Sequence, residues 1–91
     1  MSAKDFIIKT VQILEKEGPK SFTALASRFG TSTAKAYLPW VIRILLLYDI
    51  VEVHRPYEYK RLKVIKLKPD AREKLVRLLE DWNKKVEPYE S

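Results

Sequence analysis

The sequence has 91 residues and a net charge of +6, from 18 Lys and Arg against 12 Asp and Glu. This length predicts one domain with one hydrophobic core, and it excludes dinucleotide-binding and barrel enzymes, which need longer chains. There is no cysteine and His54 is the only histidine, which excludes disulfides, a thiolate nucleophile and zinc or iron–sulfur sites built on cysteine. We therefore predict a protein that is not an enzyme and uses no cofactor or metal.

The apolar residues are distributed as in a water-soluble protein. No apolar run approaches the ~20 residues of a membrane helix, and the first residues mix charges with apolar side chains, unlike a signal peptide. We expect a cytoplasmic protein. The single Gln, the single Asn, the lack of cysteine and the 33% of charged residues are typical of thermophile proteins.

Helical spacing predicts the first half of the chain. A first helix is expected at residues 3–17, and Gly18 ends it. A short extended stretch follows, and Thr23 is expected to cap a second helix at residues 24–29. After Gly30, a third helix is expected at residues 32–48.

Pro39 lies inside the predicted third helix. Proline has no N–H, so it removes the hydrogen bond to the carbonyl of Lys35. We expect it to kink the helix or to reset the start of the helix at that point.

A hairpin and a last helix are predicted in the second half. The residues after position 49 are β-branched and alternate, and Pro56 ends that strand, so a hairpin is expected at residues 50–68. The alternation slips at Val64–Ile65, which indicates a bulge or a strand buried on both faces. Pro69 suits the first turn of a C-terminal helix, expected at residues 69–86.

The excess positive charge lies in the middle of the chain. Residues 1–17 are electrically balanced, and residues 69–91 carry a slight excess of acids. Residues 18–48 contain no acidic residue and hold the cations Lys20, Arg28, Lys35 and Arg43. From position 55 to position 68 only Glu58 is acidic, against Arg55, Lys60, Arg61, Lys63, Lys66 and Lys68. A basic centre of this kind is typical of a protein that binds a polyanion.

The stretch FTALASRFGTSTAKAYL resembles the helix-turn-helix of the winged-helix family. The resemblance rests on the pair Leu25–Ala26, on Gly30 at the turn and on the hydroxyl residues that open the next helix. The following YDIVEV resembles the segment that follows the third helix in this family. The basic hairpin resembles the family's wing. The resemblance covers essentially the whole chain, which looks similar to small winged-helix proteins of thermophilic archaea and their viruses. It implies an α+β, mostly helical fold and a single domain over residues 1–91.

The resemblance also implies a set of DNA contacts. In this family the third helix enters the major groove, and the wing lies along the backbone or in the minor groove. The matching positions of the helix-turn-helix are Arg28, Ser32, Thr33, Lys35 and Arg43. Those of the wing are Arg55, Tyr57, Tyr59, Lys60, Arg61 and Lys63.

The outer face of the third helix departs from this pattern. It has no Asn or Gln to read bases, and it carries Tyr37, Trp40, Ile44 and Leu47 instead. Pro39 could rotate the second half of the helix and so bury Trp40, Ile44 and Leu47 under the first or the last helix. Alternatively, they form an exposed protein interface, for a homodimer or for a larger assembly.

Two functions follow from these observations. The first is binding of double-stranded DNA with an affinity dominated by phosphate contacts, as a transcription regulator or a nucleoid-type protein. The alternative is an interaction module that serves as an accessory subunit of a replication (DNA polymerase) or transcription complex.

Overall fold

A computed structural model of the protein describes residues 3–30, 32–55 and 63–90, and the side chains of these residues except those at 32–35 and 83–90. The described residues form four helices and three short strands. In order, they are α1 (Ala3–Glu17), β1 (Lys20–Ser21), α2 (Phe22–Ser27), α3 (Ser32–Leu47), β2 (Val51–His54), β3 (Val64–Leu67) and α4 (Ala71–Glu90). Within this described part of the chain, no helix combines the length and the apolar character needed to cross a bilayer.

One hydrophobic core joins the helices to the sheet. α1 and α3 each bury one apolar stripe, and these stripes meet Leu25 of α2, Ile65 of β3 and Leu78 of α4. Thr10 is fully buried within α1. Its hydroxyl donates a hydrogen bond to the carbonyl of Phe6 at 2.7 Å, so this polar group has a partner inside the core. The buried stripes consist of Phe6, Ile7, Val11 and Leu14 in α1, and Leu38, Val41, Ile42 and Leu45 in α3.

The start of α2 differs from the expectation. The helix begins at Phe22 rather than at residue 24, because Ser21 and not Thr23 is its N-cap. The Ser21 side chain accepts from the backbone N–H of Ala24 at 3.1 Å. Ser21 also belongs to β1, where it pairs with Val64, so its extended backbone leads directly from the strand into the helix. The helix ends at Ser27, two residues before the expected end.

α3 is one helix that runs across Pro39 to Leu47, one residue short of the expected end. The predicted restart of the helix at Pro39 is therefore wrong. Residues on both sides of Pro39, from Leu38 to Leu45, bury the same stripe. We attribute the continuity to this burial, which outweighs the missing hydrogen bond.

The sheet is antiparallel and has the order β1-β3-β2, so β3 is the central strand. β2 and β3 pair at four consecutive positions, from Val51 with Leu67 to His54 with Val64. This unbroken register rules out the predicted bulge at Val64–Ile65. Instead, β3 carries apolar side chains on both faces, because Val64 is half-buried on the face opposite to the buried Ile65. Residues 56–62, which include most of the predicted hairpin loop, lie outside the described residues.

α4 begins at Ala71 rather than at residue 69 and extends to Glu90 rather than to 86. Pro69 and Asp70 form a turn before the helix, closed by the N–H of Ala71, which donates to the carbonyl of Lys68 at 3.1 Å. The proline therefore precedes the first turn of α4 instead of lying within it.

Candidate nucleic-acid interface

A groove with a volume of about 600 Å³ lies between α3 and the side of the hairpin that faces it. The start of α2 closes one of its edges. Its apolar lining comes from four elements and consists of Phe22, Pro39, Ile42, Leu46, Val53 and Ile65. The groove is therefore a product of tertiary packing, because residues far apart in the chain form its walls.

Three predicted DNA contacts line this same groove, namely Arg43, Arg55 and Lys63. All three are exposed. No acidic residue is among the described residues that line the groove. The structure thus brings together cations from α3 and from both arms of the hairpin, in surroundings that favour an anion.

The strand register explains why the two hairpin cations lie on the groove side. Val53 pairs with Ile65, and both line the groove. Successive residues of a strand point to opposite faces, so Arg55 and Lys63, each two positions away, continue the same face. The N–H of Phe22 donates to the carbonyl of Lys63 at 2.9 Å, which holds this end of β3 against α2.

Arg28, another predicted DNA contact, does not line the groove. Its guanidinium contacts the carboxylate of Glu17 at 2.6 Å, and Lys20 contacts the same carboxylate at 3.1 Å. The hydrogen bonds from Lys20 and Arg28 lower the pKa of Glu17. This acid at the end of α1 therefore partly neutralises two cations of the acid-free segment that follows it.

Several predicted contacts fall on residues that the structure does not describe. Tyr57, Tyr59, Lys60 and Arg61 lie in residues 56–62. The backbones of Ser32, Thr33 and Lys35 belong to the first turns of α3, but their side chains are outside the described set. These seven assignments stay predictions.

On the outer face of α3, some side chains are partly buried and others are exposed, so each of the two interpretations holds for part of it. Ile44 is partly buried against the core, and the Tyr37 ring lies 5.6 Å from that of Phe6. Trp40 stays 39% exposed although it makes an edge-to-face contact with Trp82 of α4 at 5.9 Å. Leu47 is 76% exposed. Burial thus applies in part to Ile44 and Trp40, whereas Tyr37, at 46%, and Leu47 are exposed.

An ionic cluster that was not predicted from the sequence lies at the turn between α3 and β2. Asp49 accepts hydrogen bonds from Lys68 and from Lys74, the latter at 2.8 Å, and Lys74 also contacts Asp70 at 3.1 Å. These lysines lower the pKa of Asp49 to about 2, with the hydrogen bond from Lys68 as the largest cause. Only the i, i+4 spacing of Asp70 and Lys74 was visible as a pattern. Lys68, counted in the basic centre, is therefore paired with an acid.

His54, the only histidine, is exposed at the end of β2. The described side chains contain no group of three or more His, Cys, Asp or Glu that could hold a metal ion. Neither feature offers an alternative site in this part of the chain.

Comparisons with known proteins agree with this architecture at the level of fold. No family model and no curated protein matches the sequence. Among solved structures, the chain is similar to a MepR-like protein crystallised with pseudoligands, with a TM-score of 0.64 at 20% identity. The match covers 98% of this chain and 60% of that one, so the chain spans about three fifths of the length of that protein. The helix-rich α+β arrangement with its small antiparallel sheet is the winged-helix fold.

Proposed function

We propose that this protein binds double-stranded DNA, without catalysis, and acts as a transcription regulator. The observation that carries the proposal is the groove between α3 and the hairpin, where Arg43, Arg55 and Lys63 converge and no described lining residue is acidic. The winged-helix fold supports it, because helix-turn-helix proteins place their recognition helix in the major groove and flanking segments along the backbone.

Phosphate contacts dominate the affinity in this proposal. Each cation that neutralises a phosphate releases counterions, so the binding constant falls as salt rises, with a slope of about 0.9 per contact in a log–log plot. Base readout is limited, because Arg43 is the only Arg, Lys, Asn or Gln among the described side chains of α3. The protein therefore binds many sequences with similar affinity.

The test is fluorescence anisotropy of a labelled random duplex at several salt concentrations, with two matched variants. Lys63→Gln removes a charge from the groove. Lys66→Gln removes the same charge from the next exposed lysine. Lys66 lies opposite Glu52 in the strand register and does not line the groove. We expect Lys63→Gln to weaken binding to all sequences and to reduce the salt slope by about 0.9, and Lys66→Gln to change both only slightly.

Equal effects of the two variants would contradict the proposal, because they would show that only net charge matters. Wild-type protein that does not bind the duplex even at low salt would contradict it as well. Thermal melting of both variants, with unchanged midpoints, is the control for folding.

The exposed apolar side chains on α3 favour a second candidate function, a protein interface. Leu47 is largely exposed, and Trp40 lies about two turns earlier in the helix, with its ring against Trp82. An apolar face of this kind is typical of contacts with another protein. This function becomes the preferred one if the duplex titration shows no binding at low salt.

A further inference from the structure

Two exposed aromatic side chains of α3 lie in a row that ends at a cation of the groove. Tyr37 is 46% exposed and Trp40 is 39% exposed. Arg43, which is exposed and lines the groove, follows Trp40 after the same spacing of three residues. Residues three apart are neighbours on a helix surface, so the three side chains form one row, the aromatic row. Contacts with the phosphates of a duplex use Arg43 and leave both rings unexplained.

The fold holds both rings in place and leaves part of each open. The centre of the Tyr37 ring lies 5.6 Å from that of Phe6, and the Phe6 ring stacks on Phe29 at 4.8 Å. The Trp40 ring has its edge-to-face contact with Trp82. Each ring is thus packed against a neighbour and still exposes more than a third of its residue surface. Rings that are already fixed lose little conformational entropy when a planar group stacks on them.

The charge around the aromatic row favours an anionic partner. The sequence of α3 contains no acidic residue, nor does the rest of the segment 18–48. The row ends at Arg43, which lines the groove together with Arg55 and Lys63. A ligand that joins flat aromatic groups to a chain of negative charges matches both features. Single-stranded DNA is such a ligand, because its bases are unpaired and its backbone carries the phosphates.

We propose that α3 binds single-stranded DNA, with unpaired bases stacked on Tyr37 and Trp40 and the adjoining phosphates held by the cations of the groove. A duplex does not use the rings in this way, because its bases are stacked on one another and present only their edges. Every base has an aromatic face, so this site tolerates any sequence. The inference shares the groove cations with the proposed function, but it does not require duplex binding.

The first experiment compares a labelled oligothymidylate with an abasic oligomer of the same length, by fluorescence anisotropy on the full chain. Both oligomers carry the same phosphates, but only the first has bases. We expect oligothymidylate to bind at least about tenfold more tightly, and the ratio to persist as salt rises, because stacking is not a phosphate contact. Equal affinity of the two oligomers would overturn the proposal. Tighter binding of oligouridylate than of oligodeoxyuridylate would overturn the choice of DNA over RNA.

Paired variants at each ring separate stacking from a simple apolar contact. Tyr37→Leu and Trp40→Leu remove the ring and keep an apolar side chain, whereas Tyr37→Phe and Trp40→Phe keep a ring. We expect each Leu variant to weaken oligothymidylate binding about tenfold, as for one stacked base, and each Phe variant to stay within about threefold of wild type. Binding of the abasic oligomer should not change in any of them. Equal losses in the Leu and Phe variants would overturn stacking.

A control variant and a spectroscopic signal locate the site. Leu47→Asn changes a more exposed side chain of α3 outside the aromatic row and should leave binding unchanged, while thermal melting checks that all variants fold. Trp40 and Trp82 are the only tryptophans, so Trp82→Phe leaves Trp40 as the single reporter. We expect oligothymidylate to quench its fluorescence and the abasic oligomer to leave it unchanged. Binding of oligothymidylate without quenching would overturn the contact at Trp40.

A parallel titration with a duplex separates this inference from the proposed function. If oligothymidylate binds through its bases and the duplex does not bind, the proposed function fails and the single-strand site stands. If the duplex binds and oligothymidylate binds no better than the abasic oligomer, the single-strand site fails and the proposed function stands. If neither binds at low salt, both fail, and the exposed rings indicate a contact with another protein.

Discussion

Asp49 has a backbone φ of 59°, a left-handed conformation that is uncommon for residues other than glycine. Asp and Asn tolerate it better than most residues, because their short polar side chains can bond locally. Here the carboxylate accepts from Lys68 and Lys74, and the backbone carbonyl accepts from Lys74 at 3.1 Å. One residue thus joins the end of α3 to the segment that leads into α4.

The charge of Asp49 predicts a specific dependence of stability on pH. Its pKa is lowered from 3.8 to about 2, first by the hydrogen bond from Lys68 and then by that from Lys74. A carboxyl group with a lowered folded-state pKa stabilises the fold above its unfolded pKa, and this contribution is lost as pH falls through the folded value. The advantage of wild type over Asp49→Asn should therefore be complete at pH 6 and disappear between about pH 4 and pH 2.

Urea denaturation of both proteins at stepped pH measures this difference. The Asn variant keeps a residue that tolerates positive φ, so the comparison isolates the charge. A difference in the free energy of unfolding that stays constant from pH 6 to pH 2 would show that the ion pairs with Lys68 and Lys74 contribute nothing. The effect should be small, because the Asp49 side chain is 57% exposed.

At the scale of elements, neighbours in the fold decided where helices begin and continue. β1 extends the backbone up to Ser21, which makes this residue rather than Thr23 the N-cap of α2. α3 continues through Pro39 because the residues before and after it share one buried stripe. In both cases, local sequence preferences yielded to contacts with distant residues.

The N-cap of α2 can be identified by comparing two alanine variants. Ser21→Ala removes the acceptor for the N–H of Ala24 and should lower the free energy of unfolding by about 1 kcal/mol. Thr23→Ala changes an exposed side chain in the first turn of the helix and should cost less than about 0.5 kcal/mol. Urea denaturation measures both, and a larger loss for Thr23→Ala would restore the assignment made from the sequence.

At the scale of the whole molecule, ion pairs determine which cations remain for a polyanion. The net charge of +6 comes from the middle of the chain, but Lys20 and Arg28 share Glu17, and Lys68 and Lys74 share Asp49. The groove cations have no acidic residue among their described groove neighbours. The distribution of acids in space, more than the sum of charges, therefore favours the groove as the DNA contact.

Removing Glu17 should strengthen DNA binding. Glu17→Gln frees Lys20 and Arg28, so affinity for a random duplex should rise several-fold at low salt and the salt slope should steepen by about 0.9 for each cation that reaches a phosphate. Glu15→Gln is the matched control, because it makes the same charge change on α1 but frees Arg72 of α4, at 2.7 Å.

Anisotropy at several salt concentrations measures both variants of this pair. Identical gains would mean that overall charge alone controls affinity. No gain for Glu17→Gln would mean that Arg28 and Lys20 do not reach the DNA, against the prediction for Arg28.

The sequence by itself determined the order of elements and the basic centre. These follow from periodicity and composition, which are local properties of the chain. Only the tertiary structure decided the groove, because Phe22, Leu46 and Val53 come from separate elements. It alone also decided that Arg28 is paired with Glu17 and that Leu47 stays exposed, since both depend on how α1 and α4 pack. Pairing and burial are relations between distant residues, and the pattern of any one segment does not contain them.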